Sequence, residues 1–185
     1  MPLILLSGPA EEPVTLADAR AQLRLDGTEE NALVEALIAA ARATLEAETR
    51  RAFVTQSWRL TLDAWPHGAV MLPLAPVQSV TAVAVADAAG AMTALDAGLY
   101  ETALAGDAPR LAPTGAWPQP ATRLAGIEID FTAGYGAAAD VPPPLKQALL
   151  LLVAHWFEHR EPMGAGTELP RMITALVAPY RRLRL

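Results

Sequence analysis

Sixteen prolines punctuate this chain of 185 residues, and their placement decides where helix can form. None falls between Val14 and Trp65 or between Leu145 and Glu161, whereas seven fall from Pro66 to Pro120. An interior proline removes a helical hydrogen bond and costs about 3 kcal/mol, so long helices are confined to the first two stretches. The Pro-rich middle must be built from strands and turns.

Within the first stretch, Thr15-Leu16-Ala17-Asp18 reads as a capping box with Asp18 in the place of the commoner Glu. Leu16, Ala19 and Leu23 then share a face, and Gly27 is placed to close the helix. Thr28 is expected to cap a second helix, with Glu29 and Glu30 in its first turn. Leu33, Leu37, Ala41 and Leu45, flanked by Val34 and Ile38, make an apolar stripe at helical spacing. The spacing predicts a helical hairpin over 15–26 and 29–52. After Pro142-Pro143-Pro144, Leu145 to Arg160 is apolar nearly all round and reads as a helix buried on several sides. A Gly-containing loop, 162–170, then leads to a short helix or arm over 172–185, broken near Pro179.

The middle changes period. Trp58, Leu60 and Leu62 alternate with Arg59 and Thr61, and Ile127, Ile129 and Phe131 alternate with Glu128, Asp130 and Thr132. Val70 to Leu72 and Val77 to Val85 are further β-favouring runs, Asp87 to Gly90 a turn, and 103–122 a loose loop. Residues 54–135 are expected to form a mostly antiparallel insertion. The predicted class is α+β, with a helical core made by both chain ends: a hairpin over 1–53, a β-rich insertion over 54–136, and a core helix and arm over 137–185, all as one integrated unit.

Composition removes several function classes. With no Cys, disulfides, zinc–thiolate sites, iron–sulfur ligation and cysteine nucleophiles are out. A net charge of −6 argues against a protein that grips nucleic acid by neutralising phosphates. Charged residues are only 18% and Ala accounts for 39 positions, a composition that suits faces packed against other subunits. The sign of charge varies along the chain: residues 1–48 hold nine acids and three bases, residues 137–185 four and six. Unlike ends suit contact with further copies or with an acidic partner. No signal peptide or spanning segment is expected, which points to a soluble protein made in a reducing cytoplasm.

Few motifs carry chemistry. His155-Trp156-Phe157-Glu158-His159 fits the H-x-x-E-H string of inverted zinc proteases, in which two histidines hold a metal and the glutamate activates water. A third ligand is wanting: Glu161 and Glu168 lie in or beside a loop, and His67 adjoins a predicted turn. The competing reading is two partly exposed histidines at the polar end of a core helix. Gly134-Tyr135-Gly136 lacks the remainder of a phosphate loop and is explained as strand-ending punctuation, and three serines leave little for serine chemistry. The four tryptophans are too scattered for a base-stacking platform. At the C terminus, Tyr180-Arg181-Arg182-Leu183-Arg184-Leu185 alternates cations with leucine and suits docking onto an acidic groove, against the plain alternative of a solvated chain end.

Several segments, taken together, resemble one family. They are Leu16-Ala17-Asp18-Ala19-Arg20 with Leu23, the helix ending Thr49-Arg50-Arg51-Ala52, and Gln56-Ser57-Trp58 running on to Trp65-Pro66. The run Leu72 to Val80, Ala133-Gly134-Tyr135-Gly136, Val141-Pro142, and Lys146-Gln147-Ala148 through Arg160-Glu161 continue the series. Their order and spacing resemble the head–tail connector (adaptor) proteins of long-tailed phages, including those of gene transfer agents, over nearly the whole chain. The resemblance implies a virion protein with no catalytic residues and no cofactor. It implies a ring, expected to be dodecameric, between the portal and the stopper or tail, with a central channel for DNA. In such proteins the C-terminal arm reaches the portal, a role that would fall here to Tyr180 to Leu185. Glu11, Glu12, Glu29 and Glu30 are candidates for keeping DNA from sticking in that channel. A small zinc metallohydrolase built on His155, Glu158 and His159, or another neck component such as a stopper or tail terminator, are the alternatives.

Overall fold

The computed structural model of the protein describes residues 2–159 and 169–182. It divides into two compact units, one of Met1–Ala10 with Thr55–Tyr135, the other of Glu11–Val54 with Gly136–Leu185. Both helices and antiparallel sheets are present, so the fold is α+β.

The helical unit contains α1 (Leu16–Leu23), α2 (Asn31–Thr49), α3 (Pro143–Glu158) and α4 (Arg171–Val177), with 3-10 turns at Ala138–Asp140 and Ala178–Tyr180. The capping box forms as expected: Thr15 Oγ1 accepts from the Asp18 N–H at 3.1 Å, and the Asp18 carboxylate accepts from the Thr15 N–H at 2.9 Å. These bonds from the Thr15 hydroxyl and backbone hold the Asp18 carboxyl below its ordinary pKa.

Both helices of the first hairpin are shorter than their sequence predicts. α1 ends when Arg24 turns left-handed at φ 56°, three residues ahead of Gly27. The reason lies in Arg20, whose guanidinium bonds the carbonyls of Asp26 and Gly27 at 3.2 and 2.7 Å and holds that segment as a turn. Thr28 does not cap α2 either. Its carbonyl accepts from the Asn31 N–H in a turn, and Glu30 is the residue that enters the helix.

α3 packs against α1, α2 and α4. Leu145, Ala148, Leu149, Leu152 and Val153 of α3 are completely buried with Val34, Ile38, Ala41 and Leu45 of α2, Ala19 of α1, and Ile173 and Val177 of α4. That encirclement accounts for a helix whose sequence is apolar on nearly every side. The isolated parallel bridge Val54↔Gly136 closes this unit where the chain leaves and re-enters it.

The β unit holds a five-stranded sheet and a three-stranded one. The first has the order β1 (Leu3–Ser7), β2 (Gln56–Leu62), β8 (Ile127–Ala133), β4 (Val77–Ala86), β5 (Met92–Ala94); the second is β3 (Val70–Met71), β7 (Arg110–Pro113), β6 (Tyr100–Ala103). All these pairings are antiparallel. β2 and β8 pair without a break from Gln56↔Ala133 to Leu62↔Ile127. Leu60 and Leu62 thus meet Ile129 and Ile127 on the buried face, while Arg59 faces Asp130 on the other. The Asp87–Gly90 turn is present: Asp87 Oδ1 accepts from the N–H groups of Ala89 and Ala91, and Gly90 has φ 81°.

In the β unit two further features depart from the sequence expectations. β1 is an additional strand formed by a segment to which the periodicity assigned no element. The 103–122 segment is not loose: it contains β7, buries Leu111 completely, and carries Trp117 stacked on Trp65 at 3.9 Å and 6°. The Trp65 indole N–H also bonds the Pro118 carbonyl at 2.8 Å, so the loop is clasped from both sides.

Candidate functional site

The C-terminal arm leaves α4 and turns back along the end of α2. Arg51, itself almost wholly buried, donates from Nε to the Tyr180 carbonyl at 2.6 Å. Arg181 forms an ion pair with Glu48, and the Arg182 N–H meets the Thr49 carbonyl at 3.4 Å. Tyr180, Arg181 and Arg182 are therefore anchored to their own helical unit, while Leu183, Arg184 and Leu185 lie outside the described residues. The anchor residues Arg51 and Glu48 stand out in no sequence motif, because they lie some 130 positions from their partners.

The four candidate acids separate. Glu11 caps the 3-10 turn at Ala138–Asp140, its Oε1 accepting from the Ala138 N–H at 2.8 Å. Glu12 chelates Arg42 through Nε and Nη2, at 2.7 and 3.2 Å, and the Nη1 of Arg42 pairs with Glu46 at 2.9 Å. Burial works against the charge of Arg42, yet Glu12 and Glu46 together raise its pKa above the ordinary value. Glu46 also accepts from the Phe53 N–H at 2.7 Å, which ties the chain leaving α2 to the helix. Glu29 is exposed and Glu30 half-buried at the start of α2.

Glu11 and Glu12 are brought together with Glu35 on the rim of a groove of about 400 Å³, whose floor includes Val14, Leu16 and Ile38. Glu29 and Glu30 are not part of it. Glu35, a residue with no sequence signal beyond its helical position, completes the acidic rim.

His155 and His159 stand side by side at the end of α3 with ring centroids 4.5 Å apart. His159 closes the helix, and its Nδ1 lies 2.9 Å from the His155 carbonyl. Glu158 is exposed, and Glu161 and Glu168 lie outside the described residues. Among the described residues, no three His, Asp or Glu side chains are grouped to hold a metal. No described helix is long and apolar enough to cross a membrane.

These side chains anchor backbone and pair charges inside the helical unit. The model of the head completion protein family matches residues 13–183, and the chain belongs to that family. Three solved structures are similar to it along its full length. A chain from the neck of an empty gene transfer agent (GTA) particle, computed with C6 symmetry, is 34% identical with a TM-score of 0.85, covering 100% of this chain and 97% of that one. Chains from the virion of a native GTA particle and from a native GTA neck computed with C12 symmetry are each 33% identical with TM-scores of 0.84, at the same coverage. No curated protein sequence matches the chain.

Proposed function

We propose that this chain is a structural, non-enzymatic component of the neck of a gene transfer agent or phage particle. In this reading it forms a dodecameric ring between the portal and the stopper or tail, around a channel for DNA. One observation carries it: likeness to GTA neck chains over the full length at 33–34% identity, far above the level at which fold alone is shared. The unlike charge of the two ends supports a head-to-tail ring, since each protomer then offers two different faces. In the same reading the segment from Tyr180 to Leu185 contacts the portal.

Electron cryo-microscopy of particles with and without the chain tests the proposal. Particles carrying it should show a ring of this fold at one vertex, and particles lacking it should show heads without tails. Tailed particles in its absence would overturn the reading. For the arm, a chain ending at Arg182 keeps the anchors to Arg51, Glu48 and Thr49. It should fold normally and fail to join heads to tails; normal joining would remove the portal role of the last three residues. The channel role of the acids is best tested at the exposed Glu29, because Glu11→Gln and Glu12→Gln also disturb internal bonds. Glu29→Gln should slow DNA delivery by assembled particles, and unchanged delivery would refute the repulsion there.

A further inference from the structure

The two free edges of the five-stranded sheet are matched in a way the fold itself does not require. In β1 the Thr61 N–H bonds the Pro2 carbonyl at 3.1 Å, and the register then runs Leu3↔Leu60, Ile4↔Arg59, Leu5↔Trp58. Antiparallel pairs alternate between bonded and non-bonded, so Ile4 faces β2 while the N–H and C=O of Leu3 and Leu5 point outward. At the opposite edge, the Leu95 N–H bonds the Val83 carbonyl at 2.7 Å, and the pairs are Val85↔Thr93, Ala84↔Ala94 and Ala86↔Met92. By the same alternation the N–H and C=O of Met92 and Ala94 point outward. Each edge therefore presents two residues, two apart, with four backbone groups that have no partner among the described residues.

Neither edge is protected by charge, although β5 is only three residues long and β1 shifts register after Leu5. Strand edges exposed to water are normally blunted by charge or by an inward-aimed lysine. Residues 1–10 contain no charged side chain, and neither do residues 88–95. Ile4, Leu5 and Leu6 are 47–49% exposed, and Met92 is 36% exposed. An extended backbone is what such groups recognise, as in strand addition to a sheet edge.

We propose that β1 of one copy pairs with β5 of the next, so that the sheets of neighbouring copies join edge to edge. The proposal rests on the ring reading above and adds its contact. The occupant is a second copy for two reasons. The unlike edges lie on opposite sides of one sheet, which makes the contact heterologous and able to repeat around a ring, whereas β1 on β1 would stop at two copies. A contact of five residues against three also falls well below the ~1,200 Å² needed by a stable free pair, so it holds only where each copy makes it twice, once at each edge, around a closed ring.

The edge groups allow a clean test in assembled particles. Leu5→Pro and Ala94→Pro each delete an outward N–H that the protein's own ladder does not use. Both isolated variants should keep the unfolding midpoint of the unsubstituted chain, and both should lose the ring in particles imaged by electron cryo-microscopy. Because the chain has no Cys, Leu5→Cys with Ala94→Cys supplies the only thiols, and a short bis-maleimide should then give a ladder of linked multimers from particles and none from the dilute free chain. Rings of normal occupancy in both proline variants, or rings that yield no ladder, overturn the edge contact alone. A neck in which the unsubstituted chain forms no ring overturns the reading on which it rests.

Discussion

Thr15 and Asp18 satisfy each other's backbone N–H groups through a closed pair of bonds at the entrance to α1. Thr15→Ala should lower stability by about 1 kcal/mol in urea unfolding. The Asp18 carboxyl is held below its ordinary pKa, so its contribution is present at neutral pH and is lost as pH falls through the folded-state value. The Thr15→Ala penalty should therefore shrink below about pH 4, the ordinary range of Asp. This box was legible because all its parts lie within four residues. The end of α1 was not, since it depends on Arg20 reaching forward to carbonyls six and seven residues on. Arg24 there adopts φ 56°, and Arg24→Gly should raise stability by about 1 kcal/mol by removing the left-handed strain of a side chain.

At the level of elements, the strongest periodicity marked the centre of the sheet. β8 alternates buried and half-buried residues along its whole length, and it is the one strand with long partners on both sides. Its polar face holds Arg59 of β2 in a two-pronged bond to Asp130, at 2.7 and 2.8 Å, with Glu128 on the third nitrogen. Those partners, the Asp130 bond first, raise the guanidinium pKa above its ordinary value. Weak periodicity had the opposite effect in 103–122, where β7 is only four residues long and ends on Pro113. Order there comes from a stack between residues 52 positions apart, which no local pattern records. Trp117→Ala should destabilise the β unit by about 3 kcal/mol and abolish much of the near-ultraviolet dichroism.

Across the whole molecule, the helical core shared by both chain ends was readable from proline spacing and the apolar girth of Leu145 to Glu158. Leu149→Ala should cost about 2–5 kcal/mol, since a fully buried Leu on the most enclosed helix leaves a cavity that rigid neighbours cannot fill. The membership of residues 1–10 in the β unit was not readable, because the four apolar residues Leu3 to Leu6, without a polar alternation, specify neither a face nor a partner. The acidic rim was half-read: Glu11 and Glu12 were singled out for charge, while their bonds to Ala138 and Arg42 depend on the folded chain.

The strand order has a consequence for synthesis. The central strand, β8, is made last of the five, and α3, the central helix, follows it. At about 5–20 residues per second, translation of the chain takes on the order of 10–40 s. β1 meets its partner β2 early in that interval, and β4 meets β5 soon after, but the two pairs stay apart until β8 emerges to bridge them.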